Sequence, residues 1–397
     1  MSDAGGSHID LPIPYGKQEV TEEDIAAVTE VLKSDFLTQG PQVEAFEREF
    51  ARYIGADYGV AVANGTAALH LGVLALGLKP GQKVITSPIT FAASANCIRY
   101  AGGQVDFVDI DPDTWLMDLD LVEAKLARAE AGEYAGIIPV DFTGLAVDME
   151  RLRKLADKHG LWILEDACHA PGGSFKDRSG NLIRCGDGSY ADAAIFSFHP
   201  VKHIAAGEGG MLTTNRLDVK KRVSRLRTHG ITKDPELLDE QHGGWYYELQ
   251  ELGYNYRLSD IQCALGRSQL LYADPRLQKR REIAARYNEA FRDLETVKLQ
   301  LVSGEERRKH HAYHLYVIES DRRKELYEFL REHQVYAQVH YIPVHWQPYY
   351  RKLGWQKGDF SRAEYYYQRC LSLPMYPSLT EAQQEFVIEK VLEFAAQ

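Results

Sequence analysis

The chain has 397 residues, of which 45% are hydrophobic and 26% charged, and its formal net charge is −11 at pH 7. This length can bury a large core and predicts two domains, while the acidic balance argues against nucleic acid or an anionic membrane surface as the main partner. No apolar run reaches the roughly 18 residues that a membrane-spanning helix needs, and the polar first ten residues contain no signal-peptide core, so we expect a cytoplasmic protein.

The first predicted element is an amphipathic helix that begins at Thr21, with acidic residues in its first turn and apolar residues at helical spacing. Strand-like runs then alternate with helical patterns such as Asp148–His159. The runs are Tyr58–Ala63, Lys83–Ser87, Val105–Asp109, Gly136–Val140, Leu161–Leu164, Ala193–Phe198 and Gly210–Thr214. This alternation predicts an α/β fold with a mostly parallel, seven-stranded sheet between helices. Such sheets bind ligands at the carboxyl ends of their strands.

The last third of the chain has a different pattern. Thr228–Trp245 is rich in Gly, Pro and acidic residues, which is typical of a long loop. Long helical patterns start near Leu258, followed by a strand-like Tyr313–Ile318, a helix Arg322–His333 and a strand Val335–Tyr341. We therefore predict an N-terminal arm (1–20), a large domain (21–257) and a smaller α+β C-terminal domain (258–397).

Polar residues follow two of the predicted strands. Asn64, Gly65 and Thr66 end the first strand and open an apolar helix, which is the arrangement of a phosphate site at a helix N-terminus. A plain helix cap would have the same sequence. Asp166 ends another apolar run and places a carboxylate at the carboxyl edge of the sheet, where it can pair with a protonated pyridine nitrogen or simply cap the next turn.

Lys202 lies in a glycine-rich turn between two strands. A lysine that is partly desolvated in such a turn can bond covalently to an aldehyde cofactor, although a lone lysine is more often a solvated surface residue. Ser197 is near enough in sequence to reach the same phosphate. Phe91 can lie flat against an aromatic ring, and His169 can stack on that ring or hydrogen-bond one of its substituents.

The order of these signals resembles that of fold-type I pyridoxal 5′-phosphate enzymes over essentially the whole chain. Four segments resemble, more narrowly, the DegT/DnrJ/EryC1/StrS family, whose members are mainly aminotransferases acting on nucleotide-linked keto sugars. These segments are Glu165-Asp166-Ala167-Cys168-His169-Ala170, Phe196-Ser197-Phe198-His199, Gly207-Glu208-Gly209-Gly210 and Gly253-Tyr254-Asn255-Tyr256-Arg257-Leu258.

The resemblance implies a role for each site residue. Lys202 would bind the cofactor covalently and move protons, and Asp166 would hold the pyridine nitrogen. The phosphate would lie near Asn64, Gly65, Thr66 and Ser197, with Phe91 and His169 at the ring. Asn255 would reach in from a partner subunit, so that the active unit is a homodimer with shared sites.

Three further segments are similar to those of family members that aminate C-4 of a UDP-linked 4-keto-6-deoxy sugar in pseudaminic acid biosynthesis. They are Asp35-Phe36-Leu37-Thr38-Gln39-Gly40, Phe198-His199-Pro200-Val201-Lys202 and Ala337-Gln338-Val339-His340-Tyr341-Ile342-Pro343-Val344. The resemblance implies L-glutamate as amino donor. It also implies that the nucleotide sugar is bordered by Tyr15, Asp35, Phe36, Leu37, Thr38, His340 and Tyr341.

Other interpretations remain open or are disfavoured. Aminotransferases for perosamine, 4-amino-arabinose or bacillosamine precursors fit the same motifs, and a non-catalytic regulatory protein of the same fold would leave the site residues without purpose. Sugar dehydratases of the family have His at the lysine position or bind an iron–sulfur cluster, which Lys202 and the scattered cysteines argue against. Gly186–Ala191 fits a dinucleotide-binding motif but does not open a helix after a strand.

No metal site is predicted. The five cysteines (Cys97, Cys168, Cys185, Cys263 and Cys370) are far apart and include no C-x-x-C pair, so we expect free thiols. His310, His311 and His314 are close in sequence, but the alternation in His311–Ile318 favours a half-buried strand over metal ligands.

Overall fold

A seven-stranded sheet forms the centre of the fold in the computed structural model, which describes residues 9–397. Residues 1–8 of the predicted N-terminal arm lie outside the described residues. The strands, labelled β1 to β7 in chain order, are Tyr58–Val62, Lys83–Thr86, Gln104–Phe107, Tyr134–Ile138, Trp162–Asp166, Ala193–Ser197 and Gly210–Thr214. Their order across the sheet is β1-β7-β6-β5-β4-β2-β3.

All neighbouring strands are parallel except β7, which runs antiparallel to both β1 and β6. The predicted α/β fold class is therefore confirmed, and each predicted strand is present with its ends shifted by a few residues at most. Because β7 is reversed, its first residue lies at the same edge as the last residues of β1 and β6. The chain between β6 and β7 thus turns at the carboxyl edge of the sheet, and it carries Lys202.

Helices cover both faces of the sheet and form most of the C-terminal part. Helix Gly65–Ala75 is apolar on all sides and packs against β6, β7 and helix Ala93–Tyr100, so it is almost wholly buried. The other helices are Glu22–Leu32, Pro41–Ile54, Leu119–Leu126, Met149–His159, Leu217–Leu226, Asp260–Leu271, Ala273–Phe291, Glu305–His310, Arg323–Glu332, Pro348–Arg351, Ser361–Arg369 and Glu381–Ala395. Within residues 9–397, no helix is both long and apolar enough to cross a membrane.

The first helix begins where the sequence predicts. The Thr21 hydroxyl accepts a hydrogen bond from the N–H of Asp24, whose carboxylate accepts one from the N–H of Thr21. Asp24 also accepts a hydrogen bond of 2.6 Å from Gln269 in helix Asp260–Leu271. The helix that follows the predicted domain boundary at residue 258 thus packs on the N-terminal helices, and the boundary itself stays a prediction.

The C-terminal part has a small antiparallel sheet and its own apolar core. Strand Tyr316–Glu319 pairs with Lys298–Leu299 on one side and with Cys370–Leu373 on the other. Side chains from helices Ala273–Phe291 and Glu381–Ala395 fill this second core. The remaining short strands are Ile13–Pro14, Ser174–Lys176, Leu182–Arg184, Ile231–Thr232, Glu248–Leu249 and Val335–Tyr336.

The sequence pattern overestimates the length of two strands in the C-terminal part. The predicted strand Tyr313–Ile318 begins only at Tyr316, because the buried Arg280 guanidinium binds the carbonyl oxygens of Tyr313 and His314 and holds them out of the sheet. The predicted strand Val335–Tyr341 ends at Tyr336, where its pairing with the short N-terminal strand ends. His314, just before the first of these strands, and His340 and Tyr341, after the second, line the cavity described below.

The predicted loop Thr228–Trp245 is also partly ordered by backbone pairing. Ile231–Thr232 pairs antiparallel with Glu248–Leu249, and Pro235–Leu237 forms one turn of 3-10 helix. The sequence does not reveal this hairpin, because both of its strands are only two residues long.

Candidate active site

A cavity of about 420 Å³ opens at the carboxyl edge of the central sheet. It brings together residues from the ends of β1, β5 and β6, from the turn before β7, and from the C-terminal part. The predicted site residues that line it are Tyr15, Asn64, Gly65, Thr66, Phe91, Asp166, His169, Ser197, Lys202, His340 and Tyr341.

One corner of the cavity is the N-terminus of helix Gly65–Ala75. Asn64 caps this helix by accepting a hydrogen bond of 2.8 Å from the N–H of Ala67, which leaves the first N–H groups of the helix for a ligand. A Cβ atom added at Gly65 would lie 3.0 Å from the Ser197 Cβ, so only glycine leaves this corner open. The free N–H groups and the Ser197 hydroxyl suit a phosphate group.

Asp166 lies on the floor of the cavity, with only 5% of its surface exposed. The Ser94 hydroxyl donates a hydrogen bond of 2.7 Å to Oδ2, and the N–H of Cys168 donates one of 3.2 Å to Oδ1. These two donors fix the carboxylate in one orientation. A carboxylate held in this way can bind a protonated ring nitrogen.

Lys202 enters the cavity from the turn between β6 and β7, where its N–H donates to the carbonyl oxygen of His199. Burial lowers the pKa of the Lys202 amine, and the negative charge of Asp166 opposes this shift. A lysine with a lowered pKa exchanges protons and attacks carbonyl carbons more readily near neutral pH.

Neutral polar side chains line the side of the cavity facing the C-terminal part. Burial lowers the pKa of His340 to about 3, and its Nδ1 lies 2.8 Å from the Ser372 hydroxyl. The Tyr341 hydroxyl lies 3.3 Å from Nε2 of His169, and burial raises the pKa of this phenol. These groups can hydrogen-bond an uncharged ligand without carrying charge themselves.

Comparison with known proteins shows the family of the chain. Residues 18–392 match the sequence model of the DegT/DnrJ/EryC1/StrS aminotransferase family. The chain belongs to this family. It is 40% identical to the spore coat polysaccharide biosynthesis protein SpsC of Bacillus subtilis, over 96% of each chain.

Two further similarities concern named enzymes. The chain is 35% identical to the UDP-4-amino-4,6-dideoxy-N-acetyl-beta-L-altrosamine transaminase of Campylobacter jejuni, over 94% of this chain and 95% of the other. Its fold is also similar to that of Helicobacter pylori PseC, an aminotransferase involved in the biosynthesis of pseudoaminic acid. The TM-score is 0.86 and the identity 29%, over 97% of this chain and 100% of the other.

The family makes this protein a nucleotide-sugar aminotransferase that depends on pyridoxal 5′-phosphate. The residues at the cavity fit that cofactor. The helix N-terminus at Gly65 and Thr66 offers donors for its phosphate, Asp166 offers a buried carboxylate for its ring nitrogen, and Lys202 offers an amine for its aldehyde. The cavity therefore offers a complementary group for each of these three parts of the cofactor.

Two sets of predicted site residues do not line the cavity of their own chain. Asn255 is exposed and pairs with Thr228 on the surface. The segment from Asp35 to Thr38 (Asp35, Phe36, Leu37 and Thr38) lies against the start of helix Asp260–Leu271, where the Asp260 N–H donates to the Leu37 carbonyl oxygen. The Asp260 carboxylate accepts hydrogen bonds from the backbone just after this segment, which holds it in place.

Sequence reasoning missed two residues that the structure places at the site. Ser94 supports Asp166 from a helix 72 residues earlier in the chain, a separation that no local pattern reveals. His314 lies in the cavity with its Nε2 3.4 Å from the Lys202 Nζ. Its histidine-rich surroundings are the signal that could have found it, but the alternation there favoured a strand.

Cys168 also lines the cavity without having been assigned to it. Burial raises the pKa of its thiol well above the ordinary value, so the sulfur is protonated at neutral pH. A protonated thiol is a poor nucleophile. Its contribution is the backbone N–H that binds Asp166.

Behind the cavity, two buried acids and a thiol meet. The carboxyl groups of Asp141 and Glu165 and the sulfur of Cys185 lie within 4.8 Å of one another. Burial raises the pKa of Asp141 to about 6, and burial together with the Asp141 charge raises that of Glu165 well above its ordinary value. The two carboxyl groups therefore hold a proton between them at neutral pH.

Proposed function

We propose that this aminotransferase moves an amino group from L-glutamate to C-4 of UDP-2-acetamido-2,6-dideoxy-β-L-arabino-hexos-4-ulose, a step of pseudaminic acid biosynthesis. The observation that carries the proposal is the polar group formed by Tyr15, His340 and Tyr341, which line the same cavity as Lys202. Its neutral imidazole and phenol groups suit the hydroxyl and acetamido groups of a sugar. The 35% identity to the Campylobacter jejuni transaminase, whose name describes a sugar of this kind, supports it.

In this proposal Lys202 moves the protons. Its Nζ takes the proton from Cα of glutamate in the first half of the reaction and gives a proton to C-4 of the sugar in the second half. When bound, pyridoxal 5′-phosphate would supply the electron sink that stabilises negative charge on carbon between the removal of one proton and the addition of the next. Asp166, oriented by Ser94 and the N–H of Cys168, keeps the ring nitrogen protonated.

The proposal includes a homodimer with shared active sites. The segment that leads to Asn255 exposes large apolar side chains, among them Trp245 with 75% and Leu252 with 82% of their surfaces accessible. Phe36 and Leu37, which also lie outside the cavity of their own chain, are exposed as well. A second copy that covers these groups would bury apolar surface and bring Asn255 to the partner's cofactor.

Mixing two inactive variants tests the shared site. Lys202→Ala and Asn255→Ala are purified separately, mixed, and allowed to exchange subunits before the amino sugar is measured. Half of the exchanged dimers are mixed, and one of the two sites in each mixed dimer is complete, so about a quarter of wild-type activity returns. No recovery after demonstrated exchange would mean that Asn255 serves the site of its own chain.

A second candidate substrate is another nucleotide-linked 4-keto sugar that is destined for a polysaccharide. The observation that favours it is the 40% identity to a spore coat polysaccharide biosynthesis protein. The two candidates differ in the sugar alone, so kcat/KM measured on a panel of UDP-, dTDP- and GDP-linked 4-keto sugars decides between them. At least a tenfold preference for the L-arabino sugar supports the first candidate, and a similar preference for a D-configured sugar supports the second.

A further inference from the structure

One imidazole in the cavity has no role in the reaction described so far. His314 is buried, and its Nε2 lies 3.4 Å from the Lys202 Nζ. Its ring centre is 4.3 Å from that of His169 and 5.6 Å from that of His203, so it is packed between other rings. Among residues 9–397, its Nδ1 has no hydrogen-bond partner.

The backbone around His314 is held firmly. The Arg280 guanidinium donates hydrogen bonds of 3.2 Å to the Tyr313 carbonyl oxygen, 3.3 Å to that of His314 and 3.0 Å to that of Met375. Tyr313 has a φ of 47°, in the left-handed region, which turns the chain and directs His314 into the cavity. Burying a charged guanidinium is unfavourable unless its N–H groups are paired. Here the three hydrogen bonds pair it, and they hold the backbone so that the imidazole of His314 is fixed beside Lys202.

The charge state of His314 suits a hydrogen-bond acceptor. Burial lowers its pKa well below the ordinary value, and the positive charge of Lys202 lowers it further, so the imidazole is neutral. A neutral imidazole has one accepting nitrogen and one donating N–H. A charged amine has N–H donors and no acceptor. Because Nε2 faces this amine, Nε2 is the accepting nitrogen, and the ring proton lies on Nδ1.

We propose that His314 is the positioning residue for Lys202, and that its Nε2 accepts a hydrogen bond from the amine and fixes the direction of Nζ in the cavity. This inference rests on the proposed function, in which Lys202 moves protons at two carbon atoms. A flexible four-carbon side chain transfers protons efficiently at the reacting carbon of each substrate in turn only if its amine is held in a fixed position beside that carbon. His314 supplies that restraint without charge of its own.

Two substitutions separate this role from simple packing. His314→Gln keeps an acceptor near the position of Nε2, and His314→Leu fills similar space without one. His314→Asn is the further control, because its amide oxygen reaches only to the position of Nδ1. The groups that face Lys202 stay unchanged in all three variants; they are Asp166, Cys168, His169, His203, Arg280 and His340.

The first measurement needs no amino-group substrate. Full-length protein freed of cofactor is treated with cyanate at a series of pH values, and carbamylation of Lys202 is quantified by mass spectrometry. Loss of the acceptor in His314→Leu and His314→Asn removes a bond to the charged amine, so the pKa of Lys202 falls below that of the wild type. In His314→Gln it stays at the wild-type value. A pKa that is unchanged in all three variants would overturn the proposal.

The second measurement uses the loaded enzyme. We expect His314→Leu and His314→Asn to lower kcat about tenfold or more, with KM for the amino donor within about twofold, and His314→Gln to recover most of kcat. His345→Gln is the matched control, since this buried histidine binds the Glu364 carboxylate and does not line the cavity. Wild-type kcat in His314→Leu would also overturn the role. Turnover that survives Lys202→Ala would instead refute the proposed function.

Discussion

The hydroxyl of Ser94 donates a hydrogen bond of 2.7 Å to Oδ2 of Asp166, and both side chains are buried. Ser94 is in turn within 2.8 Å of the Thr90 hydroxyl, so a short chain of hydroxyl groups ends at the carboxylate. This contact connects helix Ala93–Tyr100 with the end of strand β5. It makes the orientation of Asp166 depend on a residue that does not line the cavity itself.

Ser94→Ala should therefore lower kcat without abolishing it. A hydrogen bond to a charged group contributes about 1.5–3 kcal/mol, so a loss of at least about tenfold is expected. Ser87→Ala is the matched control, because Ser87 is a buried serine whose hydroxyl accepts from the Ile89 N–H and does not contact Asp166. Equal kcat values for the two variants would show that Asp166 needs no support from Ser94.

Lys202→Ala should abolish turnover while the protein stays folded. The amine is the group that moves protons, and its removal should cost at least about a thousandfold in kcat. The variant should still bind pyridoxal 5′-phosphate noncovalently, since the phosphate corner and Asp166 are intact. Lys79→Ala, at an exposed turn, should keep wild-type activity. Normal turnover in Lys202→Ala would remove this lysine from the mechanism.

Gly65→Ala should weaken cofactor binding. The new Cβ would lie 3.0 Å from the Ser197 Cβ and partly fill the phosphate corner, so we expect a loss of affinity of about tenfold by equilibrium dialysis. Gly72→Ala is the control in the same helix, because its Cβ would press on Leu164 in the core and not on the cavity. Both variants should lose thermal stability. A loss of cofactor affinity of the same size in Gly72→Ala would show that the effect is general.

The buried carboxyl groups of Asp141 and Glu165 should make stability fall as the pH rises. Burial raises both pKa values, that of Asp141 from 3.8 to about 6, so the folded protein holds protons more tightly than the unfolded chain. Their contribution is full below the ordinary pKa and is lost as the pH rises through the raised values. Glu165→Gln should flatten this decline from about pH 4 upward, as measured by urea unfolding. Parallel curves for variant and wild type would contradict the shared proton.

The sequence alone is sufficient to predict the site residues that lie near the ends of strands. Asn64, Asp166 and Lys202 each follow or precede an apolar run, and the edge of a parallel sheet brings such positions together wherever the strands lie in its order. Six of the seven strands are buried along nearly their whole length, and only the edge strand Gln104–Phe107 alternates between buried and more exposed residues, so the apolar pattern is strong. This is why the fold class and much of the cavity wall could be predicted.

The remaining site residues depend on contacts that no local pattern encodes. Ser94 lies in a helix with an ordinary amphipathic sequence, and only the packing of that helix on the sheet brings it to Asp166. His314 lies in a stretch that alternates like a strand, and Arg280, distant in sequence, prevents the strand from forming there. Asp35 to Thr38 were predicted from resemblance alone, and within one chain they lie outside the cavity.

The most direct test of the central claim follows one amino group through both halves of the reaction. The enzyme is loaded with isotopically labelled L-glutamate, freed of the excess, and then given UDP-2-acetamido-2,6-dideoxy-β-L-arabino-hexos-4-ulose. We predict labelled UDP-4-amino sugar, one per active site, together with an equal amount of 2-oxoglutarate formed in the first half. Formation of 2-oxoglutarate without any labelled amino sugar would contradict the proposed substrate.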